Sequence, residues 1–291
     1  MKNVKIGMVG IGLMGLGIAT NIVKAGHSFS FLHHEGNQPT EVLIDKGAQR
    51  FDTARELAEH CDIIILCVTG SPQVESILTQ ENGILEGLKP GAMIIDCSTA
   101  IPSSTIGLAE KVVAAGGRFI DAPMTRTPKE AMEGRLNLIV GGSKDDFEEV
   151  LLLLNAFAEN IAHVGEVGAG HTMKLLHNYV SLGFTAVLSE AAASAGRAGI
   201  APECFVDVLA KGGGGSVVLD RLNPFILNGD PSGLMFSISN AQKDIGYYNQ
   251  MARDLDAANS VAKGVLKLLD DQLEAGQGET LLPNLVNLLQ K

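Results

Sequence analysis

The sequence predicts an α/β protein. We expect an N-terminal Rossmann domain with a doubly wound parallel sheet, followed by an all-α C-terminal domain joined through a long interdomain helix. Three observations support this fold: apolar strands alternate with helical segments over the first 165 residues, a glycine-rich turn follows the first strand, and no strand pattern returns afterwards. Strands that are apolar on both faces and alternate with helices are typical of a parallel sheet covered by helices. The predicted domains are residues 1–165 and 166–291.

Length and composition limit the classes of protein. A chain of 291 residues exceeds one ordinary core of ~100–150 residues. The net charge of −11 argues against a nucleic-acid partner, since phosphate binding needs a basic face. The longest uncharged apolar stretches fall short of the ~20 residues of a membrane span. Three of the four cysteines lie in or beside apolar runs and none forms a CxxC pair, which indicates reduced core thiols and a soluble, cytoplasmic protein.

The elements follow from hydrophobic periodicity. Short apolar, β-rich runs predict strands at residues 4–9, 27–32, 62–68, 93–96, 118–121 and 136–140. Apolar residues at three- and four-residue spacing predict helices at 16–24, 41–47, 53–60, 74–78, 103–115 and 144–158. Residues 168–198, rich in Ala, Leu and Ser, are predicted to form one long helix. Every later segment is also helical in pattern, apart from a flexible glycine loop at 212–215.

The first turn carries the pattern G-x-G-x-x-G, with Gly10, Gly12 and Gly15 between a strand and a helix. The first glycine permits the tight turn, the second lets the backbone approach a pyrophosphate, and the third lets helix and strand pack closely. The helix then points its free N–H groups at the anion. A glycine turn is also a common structural device, but the strand–turn–helix context favours dinucleotide binding.

The end of the second predicted strand leaves the choice of cofactor open. A Rossmann unit usually carries there an acid that binds the ribose 2′-hydroxyl. In this sequence the position is His33, followed by His34 and Glu35. Histidines tolerate a 2′-phosphate, Glu35 suits a 2′-hydroxyl, and two solvated loop histidines are an equally good interpretation. The cofactor is therefore predicted as NAD or NADP.

Candidate catalytic residues lie in the long helix. Lys174 and Asn178 are four residues apart and so share one face. A lone lysine is most often a surface charge, but this segment is weakly charged, and a buried lysine beside a carbonyl is a reasonable general acid. A metal site on His171 and His177 is not predicted, because their spacing places them on different faces and no carboxylate cluster accompanies them.

Two further segments fall at predicted strand ends, the edge where ligands bind in open α/β sheets. Ser98 and Thr99 follow one strand, and residues 121–127, Asp-Ala-Pro-Met-Thr-Arg-Thr, follow the next. Arg126 offers a planar fork for a carboxylate, sulfonate or phosphate, with a surface salt bridge as the alternative. Lys243 has the spacing of an ordinary helix-surface charge.

Together these stretches resemble the β-hydroxyacid dehydrogenase family, over nearly the whole chain. The resemblance rests on the turn at residues 10–15, the D-x-S-T-x-x-P segment at 96–102, Asp-Ala-Pro at 121–123, the G-x-G-x-x-x-K-x-x-x-N helix at 168–178 and the Lys-Asp pair at 243–244. It implies a hydride transfer between a nicotinamide cofactor and a small anionic hydroxy acid or semialdehyde. It also implies a homodimer or homotetramer built through the helical domains.

The resemblance also assigns roles to residues. The implied catalytic residues are Lys174 and Asn178. The implied cofactor-binding residues are Gly10, Gly12, Leu13, Met14, Gly15, His33, His34, Val68, Thr69, Thr99 and Lys243. The implied substrate-binding residues are Ser98, Thr125, Arg126, Thr127, Lys174, Asn178 and Lys243.

One departure bears on specificity. The family usually carries Ser-Gly-Gly where this chain has Thr125, Arg126 and Thr127. This segment resembles that of the sulfolactaldehyde reductase branch, in which an Arg-Thr pair binds a sulfonate. It suggests a substrate with a bulkier or more strongly anionic headgroup. The alternatives are 3-hydroxyisobutyrate, tartronate semialdehyde or succinic semialdehyde as substrates, imine reduction, and a non-catalytic cofactor-binding protein. Lys174 argues against the last two.

Overall fold

The computed structural model describes residues 4–290. The chain divides into two compact units, and the division falls inside one helix, between Lys174 and Leu175. The strands are β1 Lys5–Val9, β2 Ser28–Leu32, β3 Gln49–Phe51, β4 Ile63–Leu66, β5 Met93–Asp96, β6 Arg118–Asp121, β7 Met124–Thr125, β8 Leu136–Gly141 and β9 Ala158–Gly165. The helices of the first unit are α1 Leu13–Lys24, α2 Glu41–Ile44, α3 Ala54–His60, α4 Ser71–Thr79, α5 Ile84–Gly87, α6 Pro102–Ala114, α7 Pro128–Glu133 and α8 Lys144–Leu154.

The sheet is doubly wound, as predicted. Its strand order is β3-β2-β1-β4-β5-β6-β8-β7, with β9 paired to β8. Strands β1 to β6 pair with one another in parallel, whereas β8 is antiparallel to β6 and β7. The order reverses between β1 and β4, and such a switch point opens a crevice at the carboxyl ends of the strands.

The central strands are buried on both faces because their side chains alternate between two cores. Ile63 and Ile65 of β4 belong to one apolar cluster, while Ile64 and Leu66 belong to the other. Fully burying such a side chain contributes about 1.5–3 kcal/mol. This two-sided burial is what made the apolar runs of β1, β4 and β5 recognisable in the sequence.

Three strands, two short helices and several helix ends differ from the sequence predictions. The helices α5 and α7 were not predicted, and α1 and α4 each begin three residues earlier than expected. β3, β7 and β9 were not predicted, and the helix expected at 144–158 ends at Leu154, so that Ala158 begins a strand. β3 and β7 are only three and two residues long. β9 pairs with β8 and exposes most of its side chains, so its sequence lacks the apolar run of a central strand.

The second unit is helical. The long helix α9, Ala169–Arg197, continues into it and is followed by α10 Pro202–Ala210, α11 Val217–Asn228, α12 Ile238–Asp254, α13 Ser260–Glu274 and α14 Leu285–Gln290. Short 3₁₀ turns occupy Pro231–Gly233 and Leu282–Asn284. Leu182, Ile245 and Leu285 lie in its largest apolar cluster. Within residues 4–290, no helix combines the length and the apolarity that a bilayer span requires.

Candidate active site

The carboxyl ends of the parallel strands bring most of the predicted site residues of the first unit to one edge of the sheet. The glycine turn follows β1, His33 and His34 follow β2, and Val68 and Thr69 follow β4. Ser98 and Thr99 follow β5. Because β1 and β4 are neighbours at the switch point, the glycine turn lies beside the β4 loop.

The three glycines of the turn occupy positions with different steric requirements. Gly10 has φ +95°, and a Cβ on it would lie 2.2 Å from the carbonyl oxygen of Cys67. A Cβ on Gly15 would lie 2.0 Å from the carbonyl oxygen of Gly10. Around Gly12, in contrast, a Cβ would meet no atom within 4 Å. The fold therefore requires Gly10 and Gly15, while Gly12 leaves open space at the surface of the turn.

The start of α1 fits the pyrophosphate of a dinucleotide. The helix begins at Leu13 with Gly12 as N-cap, has no side-chain cap and carries no acidic residue in its first turn. The first N–H groups of such a helix need an acceptor, and the helix dipole favours an anion there. Leu13 and Met14 thus offer backbone donors directly beside the open space at Gly12.

Asn37 was not predicted and ties this turn to the end of β2. Its Oδ1 accepts a hydrogen bond from Ile11 N at 3.1 Å, and its Nδ2 donates to Leu32 O at 3.1 Å. The signal in the sequence is an amide in a polar loop, which is too common to be recognised. His33 and His34 are exposed next to it, and Nδ1 of His34 accepts from Gly36 N at 3.0 Å.

The ends of β4 and β5 are joined by side-chain hydrogen bonds. Ser98 Oγ accepts from Val68 N at 3.1 Å, and Asp96 Oδ1 accepts from Ser98 N at 2.9 Å. Ser98 and Asp96 are buried, and Thr99 is half-buried. These bonds fix the two loops on which Thr69 and Thr99 lie.

Asp121, at the end of β6, caps the long helix that carries Lys174. Its carboxylate accepts from Gly168 N at 2.7 Å and from His171 N at 2.6 Å. Burial raises the pKa of this carboxyl above its usual range, and the nearby His171 together with the two backbone N–H groups opposes the rise. Lys174 follows one turn later and is only 9% exposed. The weakly charged sequence around Lys174 was therefore a valid sign of burial.

The segment that departs from Ser-Gly-Gly makes its own contacts. Thr125 Oγ1 accepts from Asn137 Nδ2 at 3.1 Å, and Thr127 is the N-cap of α7 in a capping box with Glu130. Arg126 has φ +84°, and its Nη1 donates to the Glu159 carboxylate and to a backbone carbonyl of the loop before β8. The salt-bridge alternative for Arg126 is therefore present in the structure. The T-x-x-E capping pattern was the missed signal for Thr127.

In the second unit Asp244 joins two predicted residues. Asn178 Nδ2 donates to Asp244 Oδ2 at 2.6 Å, and Lys243 Nζ lies 3.3 Å from Asp244 Oδ1. The Oδ1 of Asn178 lies 3.0 Å from Nδ1 of His177. Lys243 also lies over the ring of Tyr247, 5.6 Å from its centroid. Asn178 and Asp244 are buried, so their amide and carboxylate are held in fixed orientations.

The doubly wound sheet and the uncapped helix at the glycine turn define a dinucleotide-binding protein of the Rossmann class. Two family models divide nearly the whole chain between them. Residues 5–165 match the NAD binding domain of 6-phosphogluconate dehydrogenase, and residues 168–289 match the NAD-binding domain of NADP-dependent 3-hydroxyisobutyrate dehydrogenase. The chain belongs to the 3-hydroxyisobutyrate dehydrogenase family and is an NAD(P)-dependent 3-hydroxyacid dehydrogenase.

Individual relatives agree with this assignment. The chain is 32% identical to 2-(hydroxymethyl)glutarate dehydrogenase from Eubacterium barkeri, over 84% of this chain and 81% of that protein. It is 36% identical to an uncharacterised oxidoreductase from Synechocystis, over 78% of each chain. Among solved structures, 3-hydroxyisobutyrate dehydrogenase from Salmonella typhimurium superposes with a TM-score of 0.83 at 26% identity, covering 98% of this chain and 100% of that one.

Proposed function

We propose that this enzyme interconverts a small anionic 3-hydroxy acid and its semialdehyde, with Lys174 as the proton donor and acceptor. The bound dinucleotide supplies or accepts the hydride. The ammonium of Lys174 gives a proton to the carbonyl oxygen as that oxygen gains negative charge, and the amine removes the hydroxyl proton in the reverse direction. The observation that carries this proposal is the burial of Lys174, since buried ionisable side chains cluster at functional sites.

Asn178 and Lys243 orient the substrate in this proposal. The bond from Asn178 Nδ2 to Asp244 uses one amide hydrogen and leaves the second for a substrate oxygen. Lys243 holds a positive charge against the same carboxylate. Asp244 therefore keeps both polar groups in place without contacting the substrate itself.

The proposed reader of the anionic headgroup is Arg126, supported by Ser98, Thr125 and Thr127. A residue other than glycine at φ +84° carries a conformational cost, and such costs persist where the side chain has a function. Within the described residues the guanidinium bonds through Nη1 alone, so Nη2 and Nε remain for a second anion. An incoming sulfonate or carboxylate then shares the guanidinium with Glu159.

Two alternatives for the anionic headgroup of the substrate, a sulfonate and a second carboxylate, each have a specific observation in their favour. The Arg-Thr pair favours a sulfonate, as in sulfolactaldehyde. The relative that acts on 2-(hydroxymethyl)glutarate instead suggests a second carboxylate. A panel of sulfolactaldehyde, 2-formylglutarate and the semialdehydes of tartronate, methylmalonate and succinate, each with NADH and NADPH, separates these. Adding cyclic imines to the panel tests the imine reductase alternative.

Replacing Lys174 tests the chemistry. K174A is expected to lower turnover by ~10²-fold or more while dinucleotide binding, followed by NADH fluorescence, is retained. The matched control is K263A, which removes an exposed lysine of α13. Normal turnover in K174A removes this lysine from the mechanism.

Replacing Arg126 tests the headgroup. R126G is expected to raise KM for the sulfonate or dicarboxylate substrate by about 10- to 150-fold, which corresponds to the loss of a charge-assisted bond of about 1.5–3 kcal/mol, and to affect monocarboxylates less. An equal loss across all substrates contradicts the assignment of Arg126.

We further propose a cytoplasmic homo-oligomer. The four cysteines are free thiols, as expected in a reducing compartment. Exposed apolar side chains recur at three- and four-residue spacing along one face of α9: Met173, Leu176, Val180, Phe184 and Val187. A second copy of the chain, packing helix against helix, is the occupant that this stripe suits.

A further inference from the structure

The histidine at the start of α9 has no part in the function proposed above. His171 is completely buried, as are the two carboxylates nearest to its ring, Asp96 and Asp121. Its Nδ1 lies 2.8 Å from Thr105 Oγ1, and its Nε2 lies 3.1 Å from the carbonyl oxygen of Ser98. Buried polar groups that are fully bonded hold the elements they join in one arrangement, because each unmade bond costs free energy.

The bonding pattern fixes the orientation of the ring. A carbonyl oxygen only accepts, so Nε2 of His171 carries a hydrogen and donates it to Ser98 O. The opposite edge of the ring faces the hydroxyl of Thr105, which itself lies 3.2 Å from Ile101 O. One imidazole thus connects three elements: the loop after β5, the first turn of α6 and the first turn of α9.

The surroundings leave the helix start no room to move. A Cβ on Gly170 would lie 2.5 Å from Ile139 O, and a Cβ on Gly141 would lie 2.7 Å from Gly170 N. Two buried carboxylates lie slightly further from the ring of His171, with 3.6 Å from Nδ1 to Asp121 Oδ2 and 4.0 Å from Nε2 to Asp96 Oδ2. The backbone of α9 therefore meets the sheet edge directly, and the side chains of His171 and Asp121 together fix this contact.

We propose that His171 is a positioning residue that sets the place of Lys174 at the carboxyl edge of the sheet. This inference rests on the function proposed for Lys174. The two residues are three positions apart, which is about 4.5 Å along a helix axis. Because they lie in the same helix, a displacement of His171 moves Lys174 by nearly the same distance. A misplacement of about 1 Å at a reacting group costs as much as 10²-fold in rate. Ser98 is hydrogen-bonded to both Val68 and His171, so the same network also fixes the loops that follow β4 and β5.

The kinetic test compares H171L, which removes both ring hydrogen bonds, with H171Q, whose side-chain amide can still donate to Ser98 O. H171L is expected to lower kcat by about 10- to 100-fold, with the dissociation constant for NADH changed by no more than about twofold. H171Q is expected to recover part of this loss. The primary isotope effect with 4-deuterated NADH should rise in H171L, because slowed chemistry becomes rate-limiting. The control H27L removes a half-buried histidine of the same unit and should leave all three readouts unchanged.

A second measurement does not depend on the reaction. Hydrogen–deuterium exchange at the amides of residues 169–174 is expected to accelerate in H171L and, to a smaller extent, in T105V. T105V keeps the side-chain shape and so tests the network even where H171L fails to fold. Its matched control is T20V, since Thr20 makes the same intrahelical bond, to Leu16 O, without a histidine partner.

The outcomes distinguish the two proposals. Wild-type exchange at residues 169–174 in both H171L and T105V overturns the positioning role. So does an equal loss of kcat in H171L and H171Q with an unchanged isotope effect, which reports loss of folded enzyme. Full activity in K174A overturns the proposed function of Lys174 instead, and the exchange result then still decides whether His171 holds the helix start.

Discussion

The substitution Gly12→Ala tests whether a glycine is required at this position for folding or for binding of the dinucleotide. The structure has no atom within 4 Å of a Cβ at this position, and φ there is −82°, which any residue adopts. The substitution should therefore leave the free energy of unfolding of the cofactor-free enzyme within about 0.5 kcal/mol of wild type. The added methyl instead fills the open space beside the start of α1, where we expect the pyrophosphate to bind.

The expected change in the Kd for NADH follows from the hydrogen bonds that the substitution removes. A phosphate kept away from the helix start loses one or two hydrogen bonds to backbone N–H groups, each worth about 1.5–3 kcal/mol to a charged acceptor. Losing one such bond raises Kd by about 10- to 150-fold. The assay is a titration of NADH fluorescence, with thermal unfolding of the cofactor-free protein measured in parallel. Gly107→Ala, in the interior of α6 and equally free of neighbours, is the matched control for adding a methyl group.

Two results would contradict this prediction. If Gly12→Ala binds NADH as tightly as wild type, the glycine turn is not the pyrophosphate site. If the cofactor-free variant melts well below both wild type and Gly107→Ala, Gly12 serves the fold and the open space beside it is not a ligand site.

The remaining predictions concern packing, thiol chemistry and assembly. Gly15→Ala should destabilise the cofactor-free protein by more than about 2 kcal/mol in denaturant unfolding, because its Cβ would lie 2.0 Å from a backbone oxygen; a wild-type midpoint contradicts this. Burial raises the pKa of Cys61 to about 12, so at pH 8 its thiolate fraction is on the order of 10⁻⁴, and a thiol reagent should label the exposed Cys204 first; fast labelling that survives Cys204→Ser would show otherwise. Val180→Glu places a charge in the α9 stripe and should lower the oligomer mass in light scattering at equal concentration, whereas Lys263→Ala should not.

Sequence reasoning succeeded where one physical signal dominates. The apolar runs of β1, β4 and β5 predicted the central sheet because these strands are buried on both faces. The glycine turn predicted its own geometry, since only glycine fits at Gly10 and Gly15. The edge strand β9 escaped prediction because exposed strands have no apolar pattern.

Non-local contacts in the site were beyond the reach of the sequence. Asp121 binds the N–H of Gly168, 47 residues later and directly before α9, and His171 contacts Thr105 across 66 residues. Local spacing contains no information about such pairs. Spacing likewise marked His171 as an unsuitable metal ligand without indicating what its ring does bond.

The left-handed backbone at Arg126 has a consequence for how substrate preference changes in such enzymes. A loop already bent into a conformation that suits glycine accepts a charged side chain by one codon change, at a cost of about 1–2 kcal/mol. That is a modest share of the roughly 5–15 kcal/mol by which folded proteins are stable. With Arg126 in its proposed role, a change of specificity therefore needs no change in the strands around this loop.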